Sequence, residues 1–362
     1  MAQALHTLAL SDAPPSRILI VDDSAVARAV MERIVGATDR FVVAASVSTA
    51  TAALGFLARE RVQFVLLDVQ MPGVDGITAL PDLIAAGQGA KVLVVSGQAG
   101  EGATTTVQAL ALGAADTLFK PASGQRMGSF GEMLIDKLAR LADPVVTRGP
   151  ISMAALRAAA VSPPRAIVVG EEFDVVAIGA STGGIHALSQ LLRAIPAEFR
   201  LPILVTQHLP PSFMPYFAAQ LAVIANRPCD VATDCTRLRP GRIVVAPGDA
   251  HMRCVALPDG GAAIRLSNEP SGSGCMPSVD PMFGSLAAVF GPRMMAIVLS
   301  GMGRDGAEGA GYVHRAGGCV VVQDQASSVV WGMPGAVADT GCADAILPPA
   351  AIGRLAAARQ RP

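Results

Sequence analysis

Short runs of β-branched and aliphatic residues recur along the chain, and each is followed by a segment whose apolar residues fall at helical spacing. In the first half these runs are Ile18–Val21, Phe41–Ala45, Phe64–Leu67, Val92–Val95 and Asp116–Phe119. Strands this short and this uniformly apolar, alternating with helices, predict a parallel sheet covered on both faces. The rhythm stops between residues 143 and 172, where Pro-Val-Val-Thr-Arg-Gly-Pro, an Ala-rich piece and Ser-Pro-Pro predict an interdomain linker. It resumes at Asp174, with strands expected near 174–178, 202–206, 242–246, 295–300 and 319–323. The expected architecture is two doubly wound parallel-sheet α/β domains, at 16–142 and 173–358, with a tail at 1–15 and a linker at 143–172. The stretch 250–281 is less regular. There, Pro258-Asp-Gly-Gly261 predicts a hairpin turn and Ser271-Gly-Ser-Gly274 a flexible loop.

Composition narrows the function classes. A chain of 362 residues is long enough for two cores, and 51% hydrophobic against 16% charged residues excludes a largely disordered one. A formal charge of −1 leaves no electrostatic footprint for nucleic acid. No apolar run reaches the roughly 18 residues a bilayer span needs, and the first 16 residues lack the basic start of a signal peptide. A soluble cytoplasmic protein with no membrane insertion is expected. The six cysteines, at 229, 235, 254, 275, 319 and 342, form no C-x-x-C pair. They are expected to be reduced and mostly buried.

Candidate chemistry lies at strand ends. Ser181 follows the run 175–178, among glycines at 179, 183 and 184 that allow a tight turn, and precedes helical spacing over 187–195. Such a turn exposes a hydroxyl beside N–H groups able to stabilise an oxyanion, although a serine there can equally cap the helix. The following strands run out at His208 and, after a Gly-rich turn, at Asp305. Strand ends of a parallel sheet share one edge, so the three can meet, and a histidine oriented by a carboxylate activates a serine hydroxyl. Asp249 and Asp324 also lie near strand ends, but only Asp305 has a Gly-rich turn around it. His186 and His314 are expected in helices and His251 in a loop, in surface or satisfied roles. A dinucleotide site would need glycine at 181 and an acid where Gln207-His208 stands.

In the first half Asp22 and Asp23 follow one strand and Asp68 another. Three converging carboxylates repel unless a hard cation joins them, and Mg²⁺ suits oxygen donors. Ser96 and Lys120, from the next two strands, add a hydroxyl and a positive charge that a phosphoryl oxygen would accept.

Asp22-Asp23-Ser24, Leu66-Leu-Asp68-Val-Gln-Met-Pro-Gly-Val-Asp-Gly76, Ser96 and Lys120-Pro121 resemble the response-regulator receiver domain, over about residues 16–142. The resemblance implies a flavodoxin-like fold in which Asp68 is phosphorylated from the phosphohistidine of a histidine kinase. It also implies Mg²⁺ held by Asp23, Asp68 and the Gln70 backbone carbonyl, with Asp22 assisting through water. Thr117 stands where many receivers carry an aromatic switch residue.

The second half resembles the catalytic domain of CheB-family chemotaxis protein-glutamate methylesterases, through Ile178-Gly-Ala-Ser181-Thr-Gly-Gly, Gln207-His208-Leu-Pro, Val245-Ala-Pro-Gly-Asp249-Ala-His, Pro277-Ser-Val-Asp280, Leu299-Ser-Gly-Met302-Gly-Arg-Asp305-Gly and Gly332-Met-Pro. A Rossmann-like fold is implied, with Ser181 as nucleophile, His208 as base and acid, and Asp305 orienting His208. Thr182 and the Met302 N–H are implied oxyanion donors, and ester hydrolysis needs no cofactor. The implied substrates are γ-glutamyl methyl esters on methyl-accepting chemotaxis receptors. Some relatives also deamidate glutamine, and the unphosphorylated receiver is expected to cover the site. Met276 stands where the family often has arginine. The competing reading is a receiver-controlled output domain that binds protein without catalysis.

Overall fold

The computed structural model describes residues 14–97, 103–120, 127–142 and 173–358. The expected linker, Pro121 and the tail up to residue 13 lie outside the described residues. In the first half β1 (Ser16–Val21), β2 (Phe41–Val47), β3 (Phe64–Asp68), β4 (Lys91–Ser96) and β5 (Asp116–Phe119) form one parallel sheet, ordered β2-β1-β3-β4-β5. The helices of this half are α1 (Ala25–Gly36), α2 (Ala50–Leu57), α3 (Gly76–Gly87), α4 (Ala103–Leu112) and α5 (Met127–Ala142). Ser24, Thr49 and Asp75 cap α1, α2 and α3 by accepting the N–H three residues on, which starts each helix sharply after its loop. All five residues of β3 are buried, so the strand reads as an unbroken apolar run until it ends in Asp68.

The second half carries β6 (Val175–Ala180), β7 (Ile203–Gln207), β8 (Cys229–Val231), β9 (Ile243–Val245), β12 (Met294–Val298), β13 (Cys319–Gln323) and β14 (Ala345–Leu347). These pair in parallel as β14-β13-β12-β6-β7-β9-β8. The helices are α6 (Gly184–Arg193), α7 (Met214–Ala225), α8 (Val279–Phe290), α9 (Ala307–Arg315), α10 (Met333–Ala338) and α11 (Pro349–Ala358). Both halves are thus doubly wound α/β sheets. β10 (His251–Ala256) and β11 (Ala262–Ser267) make a separate antiparallel hairpin, closed by Leu257 donating to the Gly261 carbonyl at 2.8 Å. That turn is the one expected from Pro258-Asp-Gly-Gly261.

Three expectations need correction. β8 and β14 are three-residue strands at the sheet margins that the apolar pattern did not announce, because their residues are half-buried or exposed. His251 opens β10 and is fully buried, where a loop position was expected. Of the cysteines only Cys254 and Cys319 are buried; Cys229, Cys275 and Cys342 are half-buried and Cys235 is exposed, all as free thiols. The exposed and half-buried ones lie at the short marginal strand or in turns, outside the central strands.

The halves pack on each other. Val107, Leu110 and Ala111 of α4 share one apolar cluster with Ile185 and Leu188 of α6 and Phe217 of α7. Large apolar side chains removed from water in this way contribute roughly 1.5–3 kcal/mol each. At the same junction the Phe119 ring meets the Phe213 ring at 5.5 Å, and His186 Nδ1 lies 3.1 Å from the Ala111 carbonyl. Among the described residues no helix is long and apolar enough to cross a membrane.

Candidate active site

The order of the second sheet reverses between β12 and β6, and the chain leaves both strands at the same edge. This is the crevice in which doubly wound sheets bind ligands. Ser181 stands just beyond β6, pinned through its backbone. Its N–H donates to the Ser300 carbonyl at 3.0 Å, and its carbonyl accepts from Gly184 N–H at 2.8 Å and Gln207 Nε2 at 2.9 Å. Ser300 Oγ donates to the Thr182 carbonyl at 2.8 Å. The turn is therefore clamped by side chains from the ends of β7 and β12. Gly183 has φ +74°, and a Cβ there would stand 2.5 Å from Val329, so the turn tolerates no side chain at that position. Gly183, not Ser181, is the N-cap of α6. The helix-capping use of Ser181 is not what the chain adopts.

His208 follows β7, its N–H donating to the Ala180 carbonyl at 3.1 Å. Its Nε2 lies 2.8 Å from Asp305 Oδ2. Of the three acids near strand ends, Asp305 alone pairs with it, whereas Asp324 accepts from Ser327 N–H at 3.1 Å. Asp305 is buried at the N-terminus of α8. Ser278 Oγ donates to Oδ1 at 2.6 Å, Val279 N–H to Oδ2 at 2.7 Å and Asp280 N–H to Oδ1 at 3.4 Å. Burial alone would raise this carboxyl, but the bonds from His208, Ser278 and Val279 outweigh it and hold the group well below the usual carboxylate range. Burial likewise opposes charge on His208, yet the bond to Asp305, aided by the neighbouring Cys275 sulfur, lifts the imidazole from 6.5 to about 9.

Two contributors escaped the sequence reading. Ser278 was visible only as part of Pro-Ser-Val-Asp, and its hydroxyl holds Asp305. Behind it His251 accepts Ser278 N–H at Nδ1, 2.9 Å, while its Nε2 meets the Glu269 carbonyl at 2.8 Å. A Ser before an apolar run does signal a helix start, but nothing local signals what that start will hold.

A cavity of about 440 Å³ opens on this edge, lined by Ser181, Thr182, His208, Cys275 and Met302 from the second half. Its opposite wall comes from the first half: Leu110 of α4, Asp116 of β5, and Asp136, Lys137 and Arg140 of α5. Arg140 Nη1 reaches Met302 Sδ at 3.9 Å, and Lys137 is paired with Asp116 at 2.7 Å. Among the described residues the Met302 N–H has no hydrogen-bond acceptor.

At the other sheet edge, Asp22, Asp23 and Asp68 bring carboxylate oxygens within 4.8 Å of one another. Lys120 Nζ stands 2.8 Å from both Asp22 and Asp68. Burial raises the Asp68 carboxyl and the Asp22 charge adds to it, against Lys120 and the Gln70 N–H, which donates at 3.3 Å. Ser96 is buried alongside, at the end of β4. Three oxygen donors, one exposed on Asp23 and two buried, fit a hard divalent cation.

Residues 176–355 match the CheB methylesterase family and residues 18–129 the response regulator receiver domain. The chain is 40% identical over 347 residues to protein-glutamate methylesterase/protein-glutamine glutaminase 2 of Caulobacter vibrioides, across 95% of this chain and 99% of that protein. The chain belongs to the CheB methylesterase family. Another family member, from Rhodopseudomonas palustris, is 40% identical over 361 residues, covering 94% and 92% of the two chains. The Thermotoga maritima CheB methylesterase catalytic domain overlays with a TM-score of 0.50 at 33% identity, covering 51% of this chain and 98% of that one.

Proposed function

We propose that this chain is a serine hydrolase that demethylates γ-glutamyl methyl esters on methyl-accepting chemotaxis receptors and deamidates glutamine, under control of phosphorylation at Asp68. The observation that carries the reading is the His208–Asp305 bond beside a cavity that Ser181 lines. With Nε2 committed to Asp305, His208 has Nδ1 left for the Ser181 hydroxyl. Ser181 Oγ attacks the ester carbonyl as its proton passes to His208, and the oxyanion takes the Met302 N–H, with Thr182 beside it. Collapse expels methanol with the proton His208 carried. Water, deprotonated by His208, then cleaves the acyl-serine to a free glutamate.

Asp68 takes the phosphoryl group from a kinase phosphohistidine, with Ser96 and Lys120 receiving its oxygens. Mg²⁺ held by Asp23, Asp68 and the Gln70 carbonyl would supply the positive charge that offsets them. Lys120 is bonded to Asp68 and adjoins Phe119, whose ring packs on Phe213 only a few residues beyond His208. A phosphoryl group that redirects Lys120 therefore loosens the wall made by α4, β5 and α5, and a receptor helix gains the cavity.

Methanol release from a methylated receptor tests the reading. Ser181→Ala is expected to lower it by 10³-fold or more at unchanged fold; an unaltered rate would leave the non-catalytic output domain standing.

A further inference from the structure

The hydrolytic cycle makes no use of Cys275, one of the side chains that line the cavity. Cys275 lies in the turn between β11 and α8, where its N–H donates to Ser273 Oγ at 3.3 Å. Its sulfur, a ring nitrogen of His208 and a carboxylate oxygen of Asp305 all fall within 4.8 Å of one another. Imidazole, thiolate and carboxylate together are the ligand set of a borderline-soft, tetrahedral ion, with arms of about 2.0–2.3 Å. Ligand atoms around such a centre stand about 3.3–3.6 Å apart. His208 and Asp305 are at 2.8 Å, so an ion replacing the proton between them asks for an opening of about half an ångström. The carboxylate is already fixed by Ser278 and Val279, the kind of outer support that orients a ligand. Three protein ligands leave one coordination position, and Cys275 and His208 both face the cavity on which it would open.

We propose that His208, Cys275 and Asp305 form a binding site for Zn²⁺, and that the bound ion silences hydrolysis. Binding releases the thiol proton and the ring proton shared with Asp305 to solvent, and no electrons move. The silencing rests on the reading of His208 as the base; the binding itself does not.

The test uses the full chain, with Zn²⁺ competed against a chromophoric chelator and Co²⁺ as a spectroscopic substitute. The wild type is expected to bind one ion at this site, with a thiolate-to-metal absorption band for Co²⁺. Cys275→Ala is expected to lose the band and bind Zn²⁺ at least about tenfold more weakly, whereas Cys235→Ala, altered at an exposed thiol, binds as the wild type does. Cys275→Ser serves if the alanine variant does not fold. Equal Zn²⁺ affinity and an unchanged band in the wild type and the Cys275 variants would overturn the site. Ser181→Ala separates the two readings. If it stays hydrolytically active while binding Zn²⁺ normally, the hydrolase fails and the site stands; if it is inactive and the wild type binds no Zn²⁺, the reverse holds. Methanol release by the wild type is expected to fall over the range in which Zn²⁺ binds and to return with EDTA; full activity with the site occupied would overturn the silencing.

Discussion

Asp68 and Asp305 are both buried aspartates at the reversal point of a parallel sheet, and their carboxyls move in opposite directions. Asp68 is raised by burial and by the neighbouring Asp22, with Lys120 and one long Gln70 bond against it. Asp305 is just as enclosed, yet His208, Ser278 and Val279 hold it low. Burial does not by itself decide the charge of a carboxylate; the number of donors that reach it does. The same count separates their chemistry. A carboxylate with few partners keeps lone pairs free for a new bond, whereas a saturated one serves as an anchor for the group beside it.

The contrast can be broken at several points. Ser181→Ala, costing 10³-fold or more in methanol release, is the largest expected effect, and it should leave phosphorylation of Asp68 intact. A pH profile comes next. With the imidazole lifted to about 9, the base form is scarce at neutrality, and kcat/KM should fall about fifty-fold between pH 9 and pH 7. The sign for stability is the opposite. The His208–Asp305 pair stabilises the fold fully between the ordinary carboxylate value of 3.8 and the ordinary imidazole value of 6.5, and its contribution fades as pH rises through about 9 or falls below 3.8. A rate flat from pH 7 to 9 would mean that Asp305 does not act on His208 as inferred.

Asp68→Asn tests the other edge. A small-molecule phosphodonor should raise the wild-type rate about thirty-fold, in the middle of ordinary coupling energies, and leave the variant unmoved. Ser278→Ala removes one donor from the saturated carboxylate and should lower kcat about tenfold with little change in KM, the cost of a hydrogen bond to a charged group. The smallest effect belongs to the junction. Phe213→Ala removes a ring pair of about 0.7 kcal/mol and should raise the unphosphorylated rate about threefold, read in the same methanol assay.

The central strands and their terminal residues were legible because strands buried on both faces must be apolar, and whatever polar residue ends the run lies at the ligand edge. Asp22, Asp68, Ser181 and His208 all follow that logic. Its limits are equally physical. Cys229–Val231 and Ala345–Leu347 pair at the margins without a buried face, so no run marked them. His251 and Ser278 matter through partners 18 and 27 residues away in the chain, a distance over which periodicity carries no information. The Gly-rich turn favoured Asp305 over Asp249 and Asp324, but no local pattern announced the Ser278 and Val279 donors at the α8 N-terminus that hold it.

The two-sided cavity has a consequence for the kinase as well as for the receptor. If methylated helices and the phosphoryl group both favour the arrangement in which α5 has left the wall, thermodynamic reciprocity requires each to help the other by the same factor. A densely methylated receptor array would then shift the phosphorylation equilibrium of Asp68 toward the modified state before any ester is cleaved, so that demand for the enzyme is registered at the aspartate by mass action alone.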